Sequence, residues 1–210
     1  HGFVVDEHGH KMSKSLGNVV SPEDMIKELG TDGLRLWASG IDYANDAIVS
    51  QELIKNVGNV YRKIRNTARF LLSNLYDFDA QNDAVALANL QPVDAYALVE
   101  LVTLSNKVRT AYEELDFTAV YHLLNDYCTV TLSQVYMDIT KDRLYTEKAD
   151  GHKRRSAQTA MYYILDTMTK LMAPVLSFTA ELVSDHYQSD KKESIHLQDF
   201  NDLQDVHAMI

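Results

Sequence analysis

The chain has 210 residues, 46% hydrophobic and 24% charged, with only 8 Gly and 3 Pro. That is enough apolar material for one or two domains with a real core, and too few chain breakers for a loop-rich or fibrous protein. A formal net charge of −10 opposes indiscriminate binding to nucleic acid, because a net acid repels phosphate at long range. The single cysteine, Cys128, excludes an internal disulfide and suits a reducing compartment such as the cytoplasm. It lies in an apolar periodic run, where a small buried hydrophobe is expected rather than a nucleophile. No membrane-spanning run is present.

Residues His1 to Val5 read as a short strand that begins without Met or an apolar leader, so the chain is expected to be a piece of a longer one. Asp6 to Gly9 form its turn. His8 and His10 flank Gly9, but a histidine pair without nearby Cys, His or carboxylate partners makes no metal site, and none is expected. The turn delivers Lys11-Met12-Ser13-Lys14-Ser15, set between Gly9 and Gly17. Two lysines three apart, interleaved with hydroxyls, form a compact cation suited to a polyphosphate, since each ammonium and hydroxyl can engage a different phosphate oxygen. The flanking glycines permit backbone angles that let the loop swing.

Ser21 is an N-cap, Pro22 fits the first helical position, and Glu23 and Asp24 favour the positive end of the helix dipole. Gly30 ends that short helix, and Thr31 caps a second one from Asp32 to Ser39. Trp37 is expected to anchor a core. From Gln51 to about Tyr76 the residues Ile54, Val57, Tyr61, Ile64, Ala68, Leu71, Leu72 and Leu75 repeat at helical spacing. Arg62, Arg65 and Arg69 share one stripe beside that apolar face, in a run of residues 61–75 that contains no acid. Two readings stay open for it: a solvated flank paired within the protein, or a contact surface for RNA phosphates. Residues 77–91 read as a polar, alanine-rich linker.

Pro92 opens a second long helix. Asp116 caps a third, from Phe117 to about Ile139, whose inward positions are expected at Val120, Leu123, Leu124, Tyr127, Thr131, Val135 and Ile139. Lys141 to Gly151 read as a connector, Lys153 to Met172 as a fourth helix, and Pro174 precedes a fifth that ends near Tyr187. The tail, with Ile195, Leu197 and Phe200, either packs across the helices or leads elsewhere. The fold class is mainly α: a strand-loop-helix portion over residues 1–50, then an up-and-down bundle of four or five helices over 51–210.

The five residues Lys11 to Ser15 resemble the second signature of class I aminoacyl-tRNA synthetases, the loop that closes over ATP. With His1-Gly2-Phe3-Val4-Val5 before them and Leu16-Gly17-Asn18 and Ser21-Pro22 after, they resemble the isoleucine, valine and leucine branch. The runs Tyr61 to Leu72, Asp138 to Tyr145 and Arg154 to Ala160 look like isoleucyl-tRNA synthetases, with valyl- or leucyl-type enzymes and an RNA-independent helical interaction module as alternatives. Together these runs span nearly the whole chain. Three departures stand out: Glu7 occupies the place of the first histidine of the family's other signature, Gly33 replaces a larger residue, and Val183 stands where Trp is frequent.

The resemblance implies a parent enzyme that joins isoleucine to ATP, releasing pyrophosphate, and passes the acyl group to tRNA(Ile). Lys14 would stabilise charge on the departing pyrophosphate, Lys11 would assist, and Ser13 and Ser15 would shape the ATP-binding loop. ATP with Mg2+ is then a substrate of the parent, with no cofactor resident in this segment. The segment alone is expected to be inactive, the parent monomeric, and Arg62, Arg65, Arg69, Arg154 and Arg155 are expected, on charge and helical phase, to contact tRNA.

Overall fold

The computed structural model describes residues 2–188, 191 and 193–208, so His1 of the expected strand lies outside the described residues. Strand β1 (Val4–Val5) pairs in parallel with β2 (Ala47–Ile48), Val4 opposite Ala47 and Val5 opposite Ile48. Between them runs α1 (Pro22–Ser39), capped by the Ser21 hydroxyl, which accepts the Asp24 N–H at 3.2 Å. The two short helices expected here are fused across a kink at Gly30, whose φ of 74° and ψ of 168° are closed to side chains with a Cβ.

The kink explains Gly33. It folds the first half of α1 back so that a Cβ on Gly33 would lie 2.6 Å from the Leu29 Cβ. Leu29 in turn reaches Gly58 of α2 (Gln51–Asn74), where a Cβ would meet its Cδ2 at 3.2 Å. Two glycines thus seat one leucine. Helix α2 is capped by Ser50 and buries Ile54, Val57, Ile64, Ala68 and Leu71, the stripe its periodicity predicts.

Four longer helical stretches complete the bundle. They are α3 (Pro92–Glu113), α4 (Phe117–Asp126) running through a wider coil (Tyr127–Tyr136) into α5 (Met137–Thr146), α6 (His152–Met172), and α7 (Ser177–Tyr187). The short α8 (Gln204–His207) follows. Helix α3 packs along α6, and their inward Leu98, Leu101, Val108, Met161, Ile164, Leu165 and Met168 form the centre of the core. A smaller cluster of Met25, Val49 and Ile54 lies beneath the lysine loop, edged by Met12, Leu29 and Trp37. Val183 is buried against the main core, so an aliphatic side chain fills the place of the family's Trp.

The third helix corrects two expectations. Its middle is a π-helix, in which the hydroxyl of Ser133 donates to the carbonyl of Cys128, five residues back, at 2.6 Å. The wider turn shifts the inward face by one residue. Leu132, Tyr136 and Thr140 are buried, while the expected Val135 and Ile139 are 42% and 54% exposed. The helix also continues to Thr146, so most of the expected connector from Lys141 is helical. The tail packs across the bundle: Ile195 and Val206 are buried, and Phe200 stacks on Tyr112 at 5.9 Å between ring centroids. Cys128 is buried beside Met168, and burial pushes its thiol up to about 12, which leaves it inert.

Gly33→Ala tests the kink. Alanine gains about 1 kcal/mol of helix propensity, but the clash is with a Cβ rather than a flexible chain end, and overpacking costs about 1–3 kcal/mol. The expected net result is a lower urea midpoint at unchanged m-value; an unchanged or higher midpoint contradicts the packing described.

Candidate functional site

The lysine loop is tied at its base, and its tip, at Lys14 and Ser15, is exposed. Asp6, at the end of β1, accepts the N–H groups of His8 and His10 at 3.0 and 2.9 Å on one carboxylate oxygen. Its other oxygen accepts Asn18 Nδ2 at 2.8 Å, and Asn18 Oδ1 accepts the Ser13 N–H at 2.9 Å. One Asp-Asn pair thus joins the residues entering the loop to those leaving it. The Asn18 amide, followed by the His10 N–H, holds the Asp6 carboxyl down to about 2.

Within the loop, the hydroxyls of Ser13 and Ser15 lie 3.1 Å apart, and Ser13 Oγ also accepts the Leu16 N–H at 3.2 Å. Gly9 and Gly17 both have positive φ, the use the sequence assigned to them. The Lys11 ammonium sits 4.2 Å from the centre of the Phe3 ring, a cation–π contact that orients it without neutralising it. Lys14 is exposed. Among the described residues neither lysine has a carboxylate partner, so both charges are available to an anion. His8 and His10 pair only with Glu7 and Asp6, and no group of three or more His, Cys, Asp or Glu able to hold a metal occurs among the described residues.

The five arginines fall into two groups. Arg62, Arg65 and Arg69 stand exposed on α2 with Lys63, and among the described residues none of the four forms an ion pair. Arg62 bonds the carbonyl of Gly58 at 3.2 Å and Asn59 Oδ1 at 2.6 Å. Arg154 and Arg155, on α6, face inward. Arg154 is 8% exposed and donates to Asp77 at 2.9 Å. Arg155 donates to the Asp77 carbonyl at 2.7 Å and lies 3.4 Å from Asp83. Both tie the 77–91 segment to the bundle, as do Thr159 and Ser156, whose hydroxyls accept the N–H groups of Val85 and Gln91. The structure does not bring the two arginine groups onto one surface.

Sequence reasoning missed Asp6 and Asn18. An aspartate opening a turn before a glycine is a visible signal for the first, since such carboxylates bond backbone two residues on. The bond between them spans 12 residues and leaves no local signature.

A family model described as the anticodon-binding domain of tRNA ligases matches residues 94–208, and one described as tRNA synthetases class I (I, L, M and V) matches residues 1–50. The chain belongs to the class I tRNA synthetases. It is 52% identical over 199 residues to the isoleucine--tRNA ligase of Caldicellulosiruptor saccharolyticus, covering 94% of this chain and 22% of that one. It is 49% identical over 204 residues to that of Coxiella burnetii, covering 97% and 22%. The chain therefore spans about a fifth of the length of these curated relatives. Among solved structures, a ternary complex of Agrobacterium radiobacter LeuRS with tRNA and LeuAMS has a TM-score of 0.71 at 17% identity, over 97% of this chain and 23% of that one. Mycobacterium tuberculosis methionyl-tRNA synthetase bound by methionyl-adenylate follows at 0.66 and 23%, over 88% and 37%. At those identities the two structures support the class I synthetase fold alone.

The clamp predicts a titration. A carboxyl held below its ordinary 3.8 contributes order to the loop above that pH and loses the contribution as pH falls through about 2. In Asn18→Ala the largest cause is gone, so the Asp6 midpoint should rise toward 3.8, followed by carboxyl-carbon NMR. An unmoved midpoint contradicts the clamp.

Proposed function

We propose that this segment is the part of an isoleucine--tRNA ligase that supplies the ATP-closing loop and a helical tRNA-binding surface. The observation that carries the reading is identity of about half with isoleucine--tRNA ligases over nearly the whole chain. In the parent reaction the isoleucine carboxylate attacks the α-phosphate of ATP, pyrophosphate leaves, and the aminoacyl group then passes to a terminal ribose hydroxyl of tRNA(Ile). The amino acid is itself the nucleophile, so the segment needs no catalytic base.

In this reading Lys14 and Lys11 meet the departing pyrophosphate, and Ser13 and Ser15 shape the loop around it. Mg2+ arrives with ATP as substrate. Residues 1–50 end the catalytic region, and 51–210 form the tRNA-binding domain. Arg62, Arg65 and Arg69 contact the RNA, because their charges are exposed and unspent. Arg154 and Arg155, first expected to do the same, support that surface from behind by fixing the 77–91 segment. A monomeric cytoplasmic parent completes the proposal; among the described residues no helix is long and apolar enough to cross a membrane.

Two experiments test it. In the full-length ligase, Lys14→Ala should slow isoleucine-dependent pyrophosphate exchange by on the order of 10²–10³-fold, the effect of one preorganised donor at a developing charge, while tRNA affinity stays within about twofold. Exchange driven by valine or leucine instead of isoleucine would reassign the substrate, and equal loss of tRNA binding would remove the role given to Lys14. For the bundle, Arg65→Ala should weaken tRNA(Ile) binding and reduce the slope of log affinity against log salt by about one. An unaltered slope places the RNA elsewhere.

A further inference from the structure

Asp32 is 4% exposed, and its carboxylate does not serve its own helix. One oxygen accepts the N–H of Thr179 at 2.6 Å and the Thr179 hydroxyl; the other accepts the N–H of Phe178 at 3.3 Å. These are first-turn groups of α7, and Leu176, at the capping position, has no side chain able to cap them. The cap that α7 lacks locally comes from a residue 147 positions earlier in the chain. An anionic cap also meets the positive end of the helix dipole, so the bonds are charge-assisted.

The bonds have a fixed direction. A carboxylate only accepts, so the Thr179 hydroxyl donates its one proton to Asp32 and must accept from the Tyr61 hydroxyl, 2.8 Å away. The polar chain Tyr61 to Thr179 to Asp32 therefore joins α2, α7 and α1. Arg35, one turn further along α1, donates to the carbonyls of Val175 and Pro174 at 2.9 and 2.8 Å. Tyr61 adjoins Arg62 and precedes Arg65 by one turn, and α1 is the helix into which the lysine loop runs.

We propose that Asp32 is a positioning residue for amino-acid activation: it fixes the helix behind the lysine loop against the helix that bears the basic stripe, so that tRNA held on α2 and the placement of Lys14 are mechanically joined. This rests on the function proposed above for the loop and the stripe.

The joint is testable on this chain without any activity. Spin labels at Lys27→Cys, on α1, and Leu182→Cys, on α7, should give one narrow distance distribution; both positions are exposed, and Cys128 is buried. Asp32→Asn removes the charge and turns one acceptor into a donor facing donors. It should widen that distribution at least about twofold while a control pair at Tyr145 and Leu182, inside the bundle, stays unchanged. An unchanged Lys27 to Leu182 distribution overturns the proposal. If Asp32→Asn does not fold, Thr179→Val removes only the shared hydroxyl, keeps both N–H bonds, and should widen the same distribution to a smaller extent; no change there overturns it equally.

In the full-length ligase, Asp32→Asn should lower kcat for pyrophosphate exchange by about tenfold, or 1.4 kcal/mol of barrier, with KM for isoleucine and Kd for tRNA within about twofold. A purely structural role would instead lower the amount of active enzyme and leave kcat per active site intact, which would overturn the assignment. Absence of exchange in the wild-type ligase, alongside normal distance distributions, would overturn the reading of the loop on which the proposal rests and leave the joint itself standing.

Discussion

Asp94 is wholly buried near the start of α3, and an uncompensated carboxylate there would cost several kcal/mol. Four donated bonds prevent that: the Arg143 guanidinium places two on it at 3.0 and 2.8 Å, the Tyr136 hydroxyl one at 2.9 Å, and the Ser156 hydroxyl one at 2.6 Å. The donors come from the π-helical coil, from α5 and from α6, so three stretches must arrive together for the charge to be tolerated. Burial, and after it the Asp94 charge, raises the Tyr136 hydroxyl well above its ordinary range, which keeps it a donor. The π-helix follows from the same constraint. On a continuous α-helix the phase set by Val120, Leu124 and Tyr127 would turn position 135 inward; the wider turn brings Tyr136 to Asp94 instead, and Arg143 follows on the same face.

The resemblance runs 138–145 and 154–160 thus hold residues that build the bundle, while the run 61–72 holds residues the bundle presents. The distinction is one of spent and unspent charge. Arg143, Arg154 and Arg155 are matched to Asp94, Asp77 and Asp83, so their charge is met in large part within the protein. Arg62, Arg65 and Arg69 stand in water, where pairing is worth little and a polyanion displaces only solvent and counterions. That exposed basic stripe stands on a chain with a net charge of −10, which opposes loose adsorption to a polyanion.

What the sequence made legible was local. Ser21 and Asp116 cap the helices they were expected to cap, because an N-cap acts within three residues of itself. Gly30 marks the break in α1 because its backbone angles are closed to other residues. The π-helix was not legible: one inserted residue leaves the spacing of apolar residues plausible in either phase, and Val135 and Ile139 are as apolar as the positions that replaced them. The partners of Arg154 and Arg155 were also hidden, since helical phase says which way a side chain leaves its helix and not which carboxylate waits there. Asp6 with Asn18, and Asp32 with Thr179, belong to the same class of non-local pairs.

The clamp and the joint give the lysine loop two different constraints, and the chemistry proposed for it needs both. In the role proposed for it, a cation stabilising charge on a leaving pyrophosphate would have to reach it only as the charge develops, which needs a tip that moves. Freedom at the tip is useful only if the base does not move with it, because a displacement of about 1 Å forfeits much of the gain from positioning. Asp6 and Asn18 close the base, and among the described residues the Lys11 and Lys14 ammoniums between them have no carboxylate partner. Asp32 and Arg35 then set where that base stands relative to α2 and α7, through bonds that exist only when α1 is docked. The lysines therefore carry their charge on a short arm whose pivot is set by the bundle.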